Sequence, residues 1–286
     1  MFSRFASGTF FFTAVVLLLA LCTSEPDRAL KLAFQNPPLE FRMNRNHHAF
    51  PMESAAQDSF IQVHLEDGWG GFTINSPYQH YLTEEGMKAT LSFAQKAKAK
   101  GMDLWLYDEN GYPSGNAGDL VINENPDWEA KGLFFDDTLV TTGSISFELP
   151  PGDIDFLAAY PVTDGKVDYS KATHLSDFLS GSVLKWTVPE GQWSIFAVSK
   201  YILYDGFQIS QKPGSGAGPH YPSLMNPEVT RAFISITHDS YARYMGKDMG
   251  KYFTSTFTDE PSSMAVPFEW YSWSVLPWDE TLSMEI

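Results

Sequence analysis

The sequence predicts an α/β fold of the (β/α)8-barrel type, incomplete in this chain and carrying an inserted antiparallel β domain. Three observations lead there. Two segments share one plan of helix, short loop, apolar strand and acidic pair, which is the plan of a parallel sheet. Between them, residues from about 134 to 205 switch to period-two alternation with turn residues. The parallel strands that can be counted are too few for closure, which needs eight, usually over about 250 residues free of insertions. The chain of 286 residues therefore reads as the N-terminal part of a longer barrel, with an open sheet, complete as it stands, as the alternative.

The first element is a targeting signal. Arg4 precedes the apolar run Phe10–Leu21, which is shorter than the roughly 20 residues a membrane-spanning helix needs. A positive start and a short apolar centre read as a secretory signal peptide over about residues 1–25. Leu19-Ala20-Leu21-Cys22 also resembles a lipoprotein cleavage site with Cys22 acylated, although Leu21 stands where that pattern wants a small residue. Ordinary cleavage with Cys22 a bystander is the other reading. In both the protein is exported, to the periplasm, to the outer membrane as a lipoprotein, or out of the cell. Residues 23–29 then form a polar tether.

Residues 30–133 are read as the first part of the barrel. A weak strand, Gly71–Asn75, feeds a loop and then a helix from about Thr83 to Lys100. Met87, Leu91, Ala94 and Lys98 line one face of that helix at helical spacing. Lys96, Lys98 and Lys100 suit its C-terminus, and Gly101 stops it. The apolar strand Met102–Tyr107 follows and ends in Asp108-Glu109.

Residues 134–205 are read as a β-sandwich-like insertion. Ile145, Phe147 and Leu149 alternate, as do Leu184, Trp186 and Val188; Pro189–Gln192 reads as a turn and Trp193–Val198 as a return strand. Gly214–Pro219 is a flexible loop back into the barrel, which continues over residues 206–286. Asn226 as N-cap, Pro227 at the first helical position and Glu228 in the first turn open the second helix. Val229, Phe233, Ile236 and Tyr244 mark its buried face. Tyr252–Thr258 reads as the next strand and ends in Asp259-Glu260.

Composition narrows the function. The chain has 19 Lys+Arg against 35 Asp+Glu, a formal net charge of −16. That balance opposes binding to nucleic acid, itself a polyanion. The single cysteine, Cys22, excludes an intramolecular disulfide, a Cys-based zinc site and a Cys nucleophile in the folded region. His47, His48, His64, His80, His220 and His238 show no close metal-ligand spacing, which disfavours a catalytic zinc. Gly111, Gly115 and Gly118 resemble a phosphate loop only superficially, since no Lys-Ser/Thr follows. Ser114 lacks a nucleophile elbow.

What remains is the two acidic strand ends. Active sites of parallel barrels sit at the C-terminal ends of strands, where Asp108-Glu109 and Asp259-Glu260 fall. Two carboxyl groups facing one cavity suit glycoside hydrolysis: one protonated to help the leaving oxygen depart, one ionised to activate water or attack. Tyr107, Tyr112, Trp105 and Trp128 are placed to stack on sugar. His80 and His220 lie on loops at the same end. His238 reads as helix packing and Asn226 as a cap. The opposing interpretation is that strand-end acids cap helices or pair with surface Lys.

The stretch Gly101–Gly118, with Tyr107-Asp108-Glu109, Pro113-Ser114-Gly115 and Ala117-Gly118, resembles the α-L-rhamnosidase-like proteins of glycoside hydrolase family 106. Leu224–Phe233 with Thr237-His238 and Phe257–Pro261, and Asn36-Pro37-Pro38 with Arg42, are similar to further blocks of that family. The resemblance covers about residues 34–275. It implies a (β/α)8 catalytic barrel, inverting hydrolysis, Glu109 as general acid and Glu260 as general base. It also implies a calcium ion near the sugar, although no compact calcium loop is visible. Substrate contacts then fall to Asp108, Tyr107, Tyr112, His80, Asp259 and His220. The expected function is an exported hydrolase releasing terminal α-L-rhamnose, or a similar sugar, from oligo- or polysaccharide. The alternatives are a non-catalytic carbohydrate-binding surface protein on the same scaffold and a glycosidase of other specificity. Anchoring in a membrane would come through a lipidated Cys22.

Overall fold

The computed structural model describes residues 25–47, 49–204, 220–263 and 272–284. The signal segment, Cys22 and the Gly214–Pro219 stretch lie outside the described residues. No helix among the described residues is long and apolar enough to cross a membrane. Helix α1 (Glu25–Gln35) occupies part of the expected polar tether. Its Leu30, Leu32 and Phe34 are exposed.

A parallel sheet carries the predicted strand ends. Its strands are β1 (Asn44–His47), β2 (Gly71–Ile74), β3 (Asp103–Tyr107) and β10 (Ser255–Phe257), in the order β1-β2-β3-β10. The four strands among the described residues are half of the eight that barrel closure requires. Strand β1 escaped the sequence reading because Asn-Arg-Asn-His has no apolar alternation; it is polar because it borders the sheet beside β2.

Helices α2 (Ser54–Glu66) and α3 (Glu84–Ala99) cover one face of this sheet. Phe72, Ile74, Leu104 and Leu106 point to that face with no solvent exposure, against Ile61, Phe93, Ala94 and Ala97. The Thr83 side chain caps α3 by accepting the Gly86 N–H at 3.1 Å. Gly86 is required there, since a Cβ would lie 1.9 Å from the His80 carbonyl oxygen. Asn226 caps α5 (Pro227–Ile236) by accepting the Glu228 N–H at 2.9 Å. This helix ends at Thr237, and α6 (His238–Met245) starts afresh. That break moves the buried face: Tyr241 is sealed, whereas Tyr244 is exposed. The short helices α4 (Leu120–Glu124) and α7 (Met249–Tyr252) are the remaining α-helices among the described residues.

An antiparallel sheet lies between the two halves of the parallel one in sequence. Strands β4 (Lys131–Glu148), β5 (Asp153–Thr163) and β9 (Val183–Ile202) form its centre. The short strands β6 (Lys166–Val167), β7 (Thr173–His174) and β8 (Leu179–Ser180) flank them. With β11 (Ser274–Trp278) at one edge, the order is β11-β4-β9-β5-β6, with β7 on β5 and β8 on β9. Pro189–Gln192, expected as a turn, lies inside the continuous strand β9. The register shifts between Thr141 and Gly143 opposite it. A bulge of this kind bends the pair, so the chain curls without reversing. Trp186 and Trp193, on either side of the bend, meet edge to face with centroids 5.6 Å apart. The result is one curled sheet around its own core of Leu149, Leu157, Leu184, Trp186, Ile195 and Ala197, where two facing sheets were expected. Strand β11 (Ser274–Trp278) pairs with β4, so it belongs to this sheet and not to the parallel one.

The sealed face of the parallel sheet sets a stability expectation. Leu106→Ala should lower the unfolding free energy by about 2–5 kcal/mol, against about 0.5 kcal/mol or less for Leu139→Ala. Leu139 is 60% exposed on the curled sheet. Denaturant titration of the two variants checks this.

Candidate active site at the strand ends

Strands β3 and β10 are parallel neighbours, with Tyr107 opposite Phe257. Their C-terminal ends therefore bring Asp108-Glu109 beside Asp259-Glu260. The Asp108 N–H continues the ladder onto the Phe257 carbonyl at 3.2 Å.

Glu109 is sealed from solvent. It is 1% exposed, and loop 110–118 wraps its carboxylate in backbone amides. Oε1 accepts the N–H of Asn110 at 2.7 Å and of Gly118 at 2.7 Å. Oε2 accepts those of Gly115 at 2.9 Å, Asn116 at 3.0 Å and Ala117 at 2.8 Å. Such a concave run of amides is an anion nest, here filled by the chain's own side chain. Left-handed backbone makes it possible, with φ of +52° at Ala117 and +60° at Gly118. A Cβ at Gly118 would come within 2.8 Å of the Asn110 amide nitrogen. Burial pushes the Glu109 carboxyl up. Both oxygens nonetheless face N–H donors, so a proton on either would lack an acceptor, and the geometry holds the group ionised. The expectation of Glu109 as a general acid facing substrate is corrected on these grounds: the side chain is sealed and surrounded by donors.

The acid of this strand end that lines a cleft is Asp108. Adjacent residues of an extended strand point to opposite sides, so sealing Glu109 turns Asp108 the other way. Asp108 is also 1% exposed. Its Oδ1 accepts the Ser114 hydroxyl at 2.9 Å. Its Oδ2 accepts the Thr258 hydroxyl at 2.5 Å and lies 3.1 Å from His238 Nε2. Because Asp108 accepts, His238 donates from Nε2. His238 was expected to pack within its helix; it reaches the strand ends instead, because α6 begins anew at that residue. No local spacing announces this, since 130 residues separate the partners.

Ser114 binds the two strand ends together. Its hydroxyl accepts the Asp259 N–H at 2.8 Å. Its own N–H donates to the Asp259 carbonyl at 2.8 Å. Tyr221 donates its hydroxyl to the Ser114 carbonyl at 2.6 Å. The second acidic pair meets tyrosines of the first strand end. The Tyr107 hydroxyl lies 2.8 Å from the Gly111 carbonyl and 2.9 Å from Asp259 Oδ2. Burial, then the Asp259 hydrogen bond, pushes the Tyr107 phenol far up. Tyr112 donates to Glu260 Oε2. Both are exposed at the surface, and Glu260 has a left-handed φ of +40°. The hydrogen bond to Glu260 is the main reason the Tyr112 phenol is pushed up to about 12.

The two loop histidines engage other partners. His80 Nδ1 lies 3.3 Å from Glu85, and His220 Nδ1 lies 2.6 Å from Glu129. The His220 carbonyl, not its ring, joins the loop by accepting Asn116 Nδ2 at 2.9 Å. The cleft beside Asp108 holds about 380 Å³ and is lined by Ser114, Thr258 and His238 on its polar side. Leu224, Phe233 and Ile234 form its apolar side. Among the described residues no group of three or more His, Cys, Asp or Glu side chains is placed to hold a metal ion. The strand-end carboxylates already face hydroxyl, imidazole or amide donors, so they do not form the oxygen cage that calcium takes.

No family model and no curated protein matches the chain. It is similar to the solved structure of a rhamnosidase from Novosphingobium sp. PP1Y, with 14% identity and a TM-score of 0.39 over 77% of this chain. The chain spans 38% of that structure's length. A likeness this distant assigns no activity.

Two outcomes follow from the geometry. Glu109→Gln places an NH2 against amide donors, and should cost about 3 kcal/mol of stability in chemical denaturation; an unchanged midpoint would refute the nest. Glu260→Gln should return the Tyr112 phenol from about 12 toward the ordinary value near 10. The sign follows from charge: ionising the phenol beside a carboxylate puts two anions together. Difference titration of tyrosinate absorbance against Tyr112→Phe reads it.

Proposed function

We propose that the strand ends form a carbohydrate site of the glycoside-hydrolase kind. One observation carries the reading. Asp108 lines, with the His238 imidazole, a cleft that is apolar on one side, and the adjacent parallel strand end presents Glu260 at the surface, held by the Tyr112 hydroxyl. Sugars present just such a mixture of hydroxyls and apolar C–H faces.

The roles follow from accessibility. Glu260 is the exposed carboxylate, oriented by Tyr112, and takes the part of base toward water. His238, 27% exposed at its side chain, takes the part of proton donor from Nδ1 in its doubly protonated form, while Asp108 accepts from Nε2 and holds the ring. Ser114 and Thr258 fix Asp108. Glu109 shapes the loop and takes no proton.

The narrower reading is that the protein is exported and releases terminal α-L-rhamnose, or a similar sugar, from polysaccharide with inversion. Its supports are the Arg4-led apolar segment and the two sequence blocks similar to glycoside hydrolase family 106. A closed eight-stranded barrel belongs to that reading, as do the division of the chain at about residues 134 and 205 and acylation of Cys22. The apolar wall of Leu224, Phe233 and Ile234 suits the methyl group of a 6-deoxy sugar. A calcium ion would need ligands beyond the described residues, and no step is drawn through it. The second reading, binding without turnover, is favoured by one fact: Asp108 and Glu109 are each 1% exposed.

The test is release of aryl alcohol from aryl α-L-rhamnoside and a panel of other aryl glycosides. Glu260→Gln and His238→Gln should each lower kcat about 100-fold or more, with both variants folded. Full turnover in both would remove these roles. Sugar binding by a wild type that releases nothing would establish the second reading.

A further inference from the structure

Away from the strand ends, His47 and His64 meet across the edge of the parallel sheet. His47 is the last residue of β1 and His64 lies in the last turn of α2. Their Nε2 atoms are 2.9 Å apart, and the rings stand edge-on at 83° with centroids 4.8 Å apart. His64 Nδ1 lies 2.8 Å from the Phe60 carbonyl, an acceptor, so that nitrogen carries a proton. In neutral His64 this leaves Nε2 as a lone pair aimed at His47.

We propose that His47 and His64 form a two-imidazole site for a divalent transition-metal ion of the zinc, nickel or copper class, clipping β1 to α2. The features match those of metal-ligating histidines. A ligating imidazole almost always donates its other N–H to a carbonyl or carboxylate, which fixes ring and tautomer; Phe60 supplies that carbonyl. The rings are clamped on rigid elements, with Phe60 centred 4.9 Å from His47 and 4.4 Å from His64, and Phe72 5.2 Å from His64. The C-terminal end of α2 adds negative potential for a cation. The positive group on the same strand, Arg45, is held over the Trp69 ring at 5.1 Å.

Zinc–nitrogen bonds of about 2.0–2.1 Å put two tetrahedral nitrogens about 3.3 Å apart, so the pair opens by about 0.4 Å. Binding requires the Nε2 proton shared between the two rings to leave to solvent. His64 is 9% exposed and His47 is half-buried, so water completes the shell from the His47 side.

Untagged protein is titrated with zinc chloride at neutral pH by calorimetry, beside His47→Gln, His64→Gln and the remote His174→Gln. One equivalent should bind the wild type and His174→Gln, and affinity should fall at least about tenfold in the other two. In wild-type protein, zinc should shift the imidazole 15N resonances of both His47 and His64 at Nε2. This reading needs no variant to fold. Absence of one-site binding, equal affinity in all variants, or unmoved His47 and His64 resonances would show a hydrogen-bonded pair only and overturn the proposal.

Discussion

The strand-end region depends on one buried anion. Five backbone amides of residues 110–118 converge on the Glu109 carboxylate, and without it they would be buried donors lacking partners. Each such orphan costs about 1–3 kcal/mol. The carboxylate therefore fixes the shape of the loop. That shape delivers the Ser114 hydroxyl to Asp108 and its backbone to Asp259, and carries Tyr112 to Glu260. An acid that sequence position recommends for chemistry here works as a scaffold.

Neighbouring acids are thus separated by the pleat of the chain. Glu109 turns into the loop and Asp108 turns toward the cleft, where hydroxyls and the His238 imidazole meet it. On β10 the same division recurs in milder form. Asp259 is tied to the buried Tyr107, while Glu260 reaches the surface beside Tyr112. The two strand ends are consequently interlocked: each carboxylate of one meets a hydroxyl belonging to the other, save the sealed Glu109.

The curled antiparallel sheet is attached at this same end. Ala130, leading into β4, donates its N–H to the Tyr221 carbonyl at 2.8 Å, and the Tyr221 hydroxyl reaches Ser114. Tyr204, at the exit of β9, packs edge to face on Tyr221. The entry and exit of the sheet therefore lie against the loop that Glu109 shapes. A change in how the sheet seats would be felt at Ser114 first.

Local physics decided what the sequence determined unaided. Thr83 and Asn226 announce the starts of α3 and α5 because a side-chain acceptor at a helix start satisfies an otherwise free N–H. The stretches Met102–Tyr107 and Tyr252–Thr258 announce strands ending in acids, although Tyr252 closes α7 and the second strand begins only at Ser255. The resemblance of residues 101–118 marked that loop as special without saying why. Other features depended on contacts between residues far apart in sequence. Strand β1 is polar and finds its place only beside β2. The bend at Pro189–Gln192 looks like a turn until β9 is seen to pair with the same strand, β4, on both sides of it, with the register shifting between. The direction of Glu109 was hidden because its five donors are backbone groups, which every residue carries and no sequence displays. His238 and the His47–His64 pair were hidden because packing, not spacing, brings them to their partners. The sequence alone determined where α3 and α5 start and which strands end in acids. Only the tertiary structure decided which acid is buried and which faces a cleft, because burial belongs to the assembled surroundings of a residue and not to the residue itself.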